Sequence, residues 1–215
     1  MKAKQRLVWM SILLGLVTLA CQTRVLEIVS PSGRALFAED FEAVNGKWQE
    51  YELPEGQVAY AEGGLRFQVW EANSQLWSTP NVCFKDVHLE VEARKLDGGE
   101  NDLFGLICRG QKEGGYYAFL ISSDGYYGIG RLQDDQLHIL GEGAMPPSEI
   151  IQQGQALNRI GADCMGDLLA LWVNGVKLAE YRDEMYQSGD VGLFAGALAA
   201  DGTEVVFDNF TVLKP

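Results

Sequence analysis

Alternation of apolar and polar residues constrains the fold of this chain more than any other feature. From Val87 to Arg94 every second side chain is apolar, and the same alternation runs from Leu65 to Trp70. Such a period of two is typical of β-strands that turn one face to a core and the other to solvent. The pattern therefore predicts sheets with one buried face.

Turn residues join these strands into hairpins. Asn174-Gly175 lies in the middle of Leu171–Leu178, and this pair tolerates positive φ at both central positions of a tight hairpin. Ser122–Gly125 provides a second turn within Tyr116–Leu132. Consecutive strands are thus expected to pair antiparallel.

Helical signals are almost absent. The one candidate is Glu149–Gln153, which follows two prolines and ends at Gly154, about two turns at most. Many short strands with so little helix predict an all-β protein, a two-sheet antiparallel sandwich or jelly roll.

The first 21 residues have the three parts of an export signal. A basic start is followed by an uncharged run from Leu7 to Ala20 and then by Cys21. The run is too short to favour a membrane-spanning helix, which needs about 20 residues. The segment Val17–Cys21 resembles the lipobox of bacterial lipoproteins, although Thr18 stands where that motif more often has Leu. An ordinary cleaved signal and an uncleaved anchor are the alternatives.

The lipobox resemblance implies that residues 1–20 are a signal peptide and that Cys21 is lipidated. Several acyl chains together give stable anchoring, so the protein would sit on the extracytoplasmic side of the cell membrane or envelope. Residues 21–35 show no sustained period and are predicted to be a tether. Residues 36–215 then form one domain, because two would be cramped.

The charge balance excludes some partners. The chain has 17 basic and 30 acidic residues, and loss of the three basic residues of the signal leaves 14 against 30, a net charge of −16. So acidic a protein is not expected to bind nucleic acid or to dock electrostatically on anionic lipid.

Three cysteines remain for an oxidising compartment. Cys108 and Cys164 both have the parity of the apolar face of their strands, and we predict a disulfide between them. Cys83 is then expected to be a buried free thiol.

The ends of the domain and three internal motifs resemble concanavalin A-like jelly-roll domains. The resemblance covers Leu36 to Lys214 and is carried by Phe37–Phe41 with Trp48, Phe104–Leu106, Leu171–Gly175, Gly189–Leu193 and Val206–Val212. Within that superfamily the chain looks closest to laminin G-like modules and to the domain associated with 3-keto-disaccharide hydrolases. The resemblance implies two stacked sheets, adjacent N- and C-terminal strands, and one sheet with a concave outer face that binds glycans or proteins.

Catalytic motifs are mostly missing. Laminarinase-type relatives carry Glu-x-Asp-x-x-Glu, which is absent here. The nearest pattern is Glu90 and Glu92, which share a strand face with His88 and Arg94. This row is either a solvated strand face or a set of weak acid/base candidates, and we assign no catalytic residue. Zinc-binding spacing, a phosphate-binding loop and a nucleophile elbow are also absent.

No cofactor is predicted, but a structural calcium ion is a candidate. Relatives of this fold often join their first and last strands through oxygen ligands, and Asp40 and Asp208 occupy those ends.

Aromatic side chains are the main indication of a ligand, because sugar rings stack on Trp and Tyr while polar neighbours bind the hydroxyls. Trp70 shares a strand face with Arg66 and Gln68, and Trp77 is expected in a loop. If they lie in strands, the neighbouring pairs Tyr116/Tyr117 and Tyr126/Tyr127 must each turn one ring outward. The candidate ligand-binding residues are Trp70, Trp77, Arg66, Gln68, Tyr116 and Tyr126.

Three functions are compatible with these features. The leading hypothesis is a membrane-anchored, non-catalytic module that binds a carbohydrate or a surface protein. The others are a glycoside-acting hydrolase of the 3-keto-disaccharide hydrolase type and a structural envelope lipoprotein.

Overall fold

The computed structural model describes residues 34–61, 63–199 and 201–215. The predicted signal peptide, Cys21 and nearly all of the tether lie outside these residues, so export and lipidation stay predictions. In the described ranges no helix is long and apolar enough to cross a membrane.

The described part of the chain forms two antiparallel sheets. The large sheet has nine strands: β1 (Ala35–Glu39), β2 (Tyr51–Leu53), β3 (Gly56–Ala61), β4 (Gly64–Val69), β7 (Val87–Gly98), β12 (Leu157–Met165), β13 (Leu168–Val173), β14 (Val176–Arg182) and β16 (Thr203–Leu213). The small sheet has seven: β5 (Ser74–Ser78), β6 (Cys83–Phe84), β8 (Leu103–Gly110), β9 (Tyr116–Ser122), β10 (Tyr127–Gln133), β11 (Gln136–Ile139) and β15 (Gly189–Ala197).

Strand order is that of a jelly-roll sandwich. The large sheet runs β14-β13-β12-β7-β16-β4-β3-β2, with β1 also paired to β16, and the small sheet runs β11-β10-β9-β8-β15-β5, with β6 on β15. The first and last strands are therefore antiparallel neighbours, as the resemblance implied.

The alternating residues fill the core between the sheets. Val87, Leu89, Val91 and Ala93 of β7 are buried in one apolar cluster with side chains of both sheets. Their polar neighbours on β7 therefore lie on the outer face of the large sheet, which confirms the alternation as a strand signal.

Two cysteines link the sheets. Cys108 of β8 and Cys164 of β12 are fully buried and form the predicted disulfide. The expectation for Cys83 was wrong, because this free thiol is exposed. Phe84, the next residue of the short strand β6, packs against the core, so Cys83 points the opposite way.

Both predicted hairpins are present, β13–β14 around Asn174-Gly175 and β9–β10. The helix expected at residues 149–153 is wrong, because this segment consists of turns and a bend. Its backbone groups bond to other segments: Gln152 N–H donates to Asn158 Oδ1 (2.9 Å) and Gly154 N–H to the Ser123 carbonyl (2.9 Å). These bonds replace the i to i−4 bonds of a helix.

Candidate functional site

The two outer faces of the sandwich differ in chemistry. The outer face of the large sheet, which we call the polar face, carries the row of His88, Glu90 and Glu92 on β7. The outer face of the small sheet, which we call the apolar face, carries a second buried apolar cluster: Ile107, Tyr116, Ala118, Leu120, Leu132 and Phe194.

His88 is the centre of a hydrogen-bonded network on the polar face. Its ring is 8% exposed, with Nδ1 2.6 Å from Asp163 Oδ1 and Nε2 3.4 Å from Glu90 Oε1. Asp163 Oδ2 also accepts a hydrogen bond from Trp172 Nε1 at 2.7 Å. The network therefore ties together β7, β12 and β13.

The carboxylates next to His88 determine its protonation state. Burial alone would lower the pKa of His88, but its hydrogen bonds to Asp163 and Glu90 outweigh burial and raise the pKa to about 9. The imidazole is therefore protonated at neutral pH and has no lone pair with which to act as a general base.

Both carboxylate oxygens of Glu92 also accept hydrogen bonds from within the protein. Arg159 Nη2 donates to Glu92 Oε1 at 2.8 Å and Asn209 Nδ2 donates to Oε2 at 3.1 Å. The bond from Arg159 is the largest influence and lowers the pKa of Glu92. The carboxylate thus stays ionised, which does not suit a general acid. The sequence placed the row on one face correctly, but His88, Glu90 and Glu92 each have a partner within the protein.

The predicted ligand-binding residues fall on different faces. Arg66 and Gln68 lie on the polar face and both contact Glu204, at 2.7 Å and 3.0 Å. Trp70 follows β4, and its ring is exposed. Because Trp77 and Tyr116 belong to the small sheet, the six candidates do not form one site.

Trp77 lies in β5 and not in the loop expected from the sequence. It pairs with Phe194 of β15, and the Phe194 ring lies 6.5 Å from that of Tyr116. Leu76, the preceding residue, packs in the main core, so the Trp77 ring points to the apolar face and is 45% exposed.

The backbone of Trp77 is held from outside the sheet. The Tyr51 hydroxyl donates to the Trp77 carbonyl at 2.6 Å and accepts from its N–H at 3.1 Å. The neighbouring Ser78 hydroxyl donates to the Gln49 carbonyl at 2.8 Å. Edge strand β5 is thereby fixed, and Trp77 presents its ring from a rigid position.

The hydroxyl of Tyr116 is a buried polar group on the apolar face. Its side chain is 5% exposed, and among the described residues its hydroxyl has no hydrogen-bond partner. Burial raises the pKa of Tyr116, and the nearby Tyr51 phenol raises it further, so the hydroxyl stays neutral and can donate.

We name the set Trp77, Phe194, Tyr116 and Tyr51 the aromatic edge. Trp77 and Tyr116 were predicted from the sequence, whereas Phe194 and Tyr51 were not; the contact of Tyr51 with Trp77 spans 26 residues of sequence. The parity of β15, which buries Leu193 and Ala195 in the main core, could have shown that Phe194 faces outward. Tyr126 is exposed but precedes β10, which three strands separate from β5.

The predicted calcium residues lie near β1 and β16. A pocket of about 370 Å³ contains Asp40, and Asp208 precedes its lining residue Asn209. Burial raises the pKa of Asp208, and the carboxylates of Glu92, Glu42 and Asp40 add to the rise. Within the described ranges no group of three or more His, Cys, Asp or Glu side chains could hold a metal, whereas calcium takes six to eight oxygens. Calcium at Asp40 and Asp208 stays a prediction.

No family model matches the sequence, and no curated protein matches it either. Solved structures do match. The carbohydrate-binding module CBM66 from Bacillus subtilis is 14% identical with a TM-score of 0.62, covering 78% of this chain and 96% of that one. A Bacillus subtilis protein of unknown function with a galectin-like fold is 12% identical with a TM-score of 0.64, covering 84% and 96%. A GH16 protein of the Bacteroides ovatus mixed-linkage glucan locus is 11% identical with a TM-score of 0.60, covering 83% and 100%.

Identities this low establish the fold and leave the activity open. The strand order, the paired terminal strands and these structural neighbours agree, and the chain has the concanavalin A-like jelly-roll fold that its motifs resemble.

Proposed function

We propose that this protein is a non-catalytic carbohydrate-binding module and that a sugar ring stacks on Trp77. The observation that carries the proposal is the indole of Trp77, 45% exposed on a strand whose backbone is fixed by Tyr51. A rigid aromatic face loses little conformational entropy when a sugar stacks on it, which favours binding.

Polar groups that could bind sugar hydroxyls border the same edge. Gln75 lies two residues before Trp77 on β5 and therefore on the same face. Gln49 and Asn81 are joined by a side-chain hydrogen bond of 3.2 Å beside the end of β5. Amides of this kind both donate to and accept from hydroxyl groups.

The structural neighbours are consistent with this function. They include a carbohydrate-binding module and GH16 proteins, so the fold is one on which sugars are bound. The lipobox resemblance adds a membrane anchor to the proposal: Cys21 would hold the domain on the extracytoplasmic surface. Metabolic labelling with an alkyne fatty acid, lost in Cys21→Ala, tests the anchor separately.

Two tryptophans of equal exposure allow a matched test. Trp70 and Trp77 are each 45% exposed, but only Trp77 belongs to the aromatic edge. The full chain, purified in detergent with its disulfide intact, is screened on a glycan array, and each hit is measured by calorimetry. Trp77→Ala should weaken binding at least about tenfold, a loss of about 1.4 kcal/mol, whereas Trp70→Ala should leave it within about twofold.

Three results would contradict the proposal. These are an array without hits, unchanged affinity in Trp77→Ala, or a loss confined to Trp70→Ala.

A glycoside hydrolase is the second candidate, because the match to the GH16 protein covers that whole chain. The acid/base candidates from the sequence for this function are Glu90, Glu92 and His88, although the contacts of His88 and Glu92 disfavour a general base and a general acid there. Turnover of a glycoside that falls in Glu90→Gln/Glu92→Gln but not in Trp77→Ala would favour this function. A stoichiometric protein partner without glycan binding would favour a structural envelope role.

A further inference from the structure

A lysine is buried near the end of β7 in the large sheet. Lys95 is 3% exposed, and its Nζ donates to the carbonyl of Gly98 at 2.9 Å and to that of Gly99. Asp102 Oδ2 lies 4.0 Å from the same nitrogen, and Asp102 is fully buried. The ammonium group is therefore surrounded by oxygen atoms.

Two loops meet at this ammonium group. Asp102 Oδ1 accepts from the Leu198 N–H at 2.8 Å, which joins the β7–β8 loop to the β15–β16 loop. The N–H of Gly99 donates to the Gly202 carbonyl at 3.3 Å and adds a second link. Asp102 Oδ2 is buried, and the Lys95 ammonium group compensates its charge.

Burial lowers the pKa of Lys95, and nearby carboxylates oppose this effect: Asp102, Asp201, Glu100 and Asp97. A buried carboxylate and two backbone carbonyls around one nitrogen are oxygen ligands of the kind that hard cations prefer.

We propose that these loops form a cation site whose occupant is the protein's own Lys95 ammonium group. The oxygens of Gly98, Gly99 and Asp102 are the ligands, and the tethered ammonium replaces a metal ion. This assignment is independent of carbohydrate binding. It means that the loops at this end of the sandwich are held without a bound metal, and that a free cation can enter only when the lysine is shortened.

Thermal unfolding of the full chain tests the proposal with Lys95→Ala and Lys95→Met as a matched pair. Both variants lose the buried charge, but the Met side chain still fills the space. Each should unfold about 10 °C below wild type, because an unpaired buried carboxylate remains. Calcium chloride or ammonium chloride should restore at least half of this loss in Lys95→Ala, relative to a sodium chloride control, and little of it in Lys95→Met. Any shift that calcium chloride produces in wild type is subtracted from the shifts of both variants.

Equal stabilisation of all three proteins by calcium would place the ion elsewhere and overturn the assignment, and so would a folded Lys95→Ala that no cation stabilises. If Lys95→Ala does not fold, the Lys95 ammonium protons of wild type provide a second measurement by nitrogen-15 NMR. These protons should exchange slowly with water in wild type. In Asp102→Asn their exchange should be fast enough to remove the NMR signal. Rapid exchange in wild type would also refute the proposal.

Discussion

The network around His88 makes the stability of the domain depend on pH in a predictable direction. The pKa of His88 rises from 6.5 in the unfolded chain to about 9 in the folded protein. Folding therefore favours proton binding, and the stabilisation is complete below pH 6.5 and lost as the pH rises through 9. At about 1.36 kcal/mol per pKa unit, the full contribution is about 3 kcal/mol.

The measurement is urea unfolding, followed by circular dichroism, of wild type and His88→Gln between pH 6 and pH 10. Both proteins carry Cys83→Ser, because an exposed free thiol exchanges with the disulfide. The difference in unfolding free energy between the two proteins should shrink by about 3 kcal/mol from the lowest pH to the highest. Groups that titrate in both proteins cancel in this difference.

Asp163→Asn is the second variant, because it removes the nearer carboxylate and leaves His88 in place. It should move the midpoint of the pH dependence to lower pH. A difference between wild type and His88→Gln that does not change with pH would refute the reasoning, since it would mean that His88 binds its proton equally in both states.

Three further changes should each lower stability through a different contact. Cys108→Ala/Cys164→Ala removes a disulfide that joins residues 56 positions apart and should lower the free energy of unfolding by roughly 4 kcal/mol. The urea midpoint should fall, and reductant should lower it in the same way in wild type. Asp183→Asn weakens the ion pair with Arg131 and should cost about 2 kcal/mol in the same assay, with a smaller loss if Arg131 is already changed to Met. Gly175→Val places a branched residue at φ 82° and should cost about 1–2 kcal/mol, whereas Gly175→Asn should cost less.

Local patterns predicted the strands and the direction of their side chains. The parity of β8 and β12 placed Cys108 and Cys164 on facing inner surfaces, and they form the disulfide. Parity also separates Tyr117, which lies in the main core, from Tyr116 on the apolar face. These predictions succeed because the two faces of a strand are determined by neighbouring residues alone.

The strands that form the edges of the sheets could not be predicted in the same way. Trp77 lies in a strand because β5 pairs with β15, more than one hundred residues later, and no local alternation marks it. The contact between Tyr51 and Trp77 requires knowledge of which strands form the margins of the sheets. Glu149–Gln153 has local helix signals, but bonds to distant residues determine its backbone.

The contrast between the two outer faces also explains why a row of acidic residues indicated so little about function. Alternation places His88, Glu90 and Glu92 on one face, but only the packing of β12 and β16 against β7 shows that Arg159 and Asn209 bind Glu92. A carboxylate already engaged by the protein must break a hydrogen bond before it can bind a sugar, so the polar face would lose part of any gain. The aromatic edge has no such cost, because the exposed indole of Trp77 forms no hydrogen bond with a described residue that a ligand would displace. The proposal for binding therefore rests on the aromatic edge.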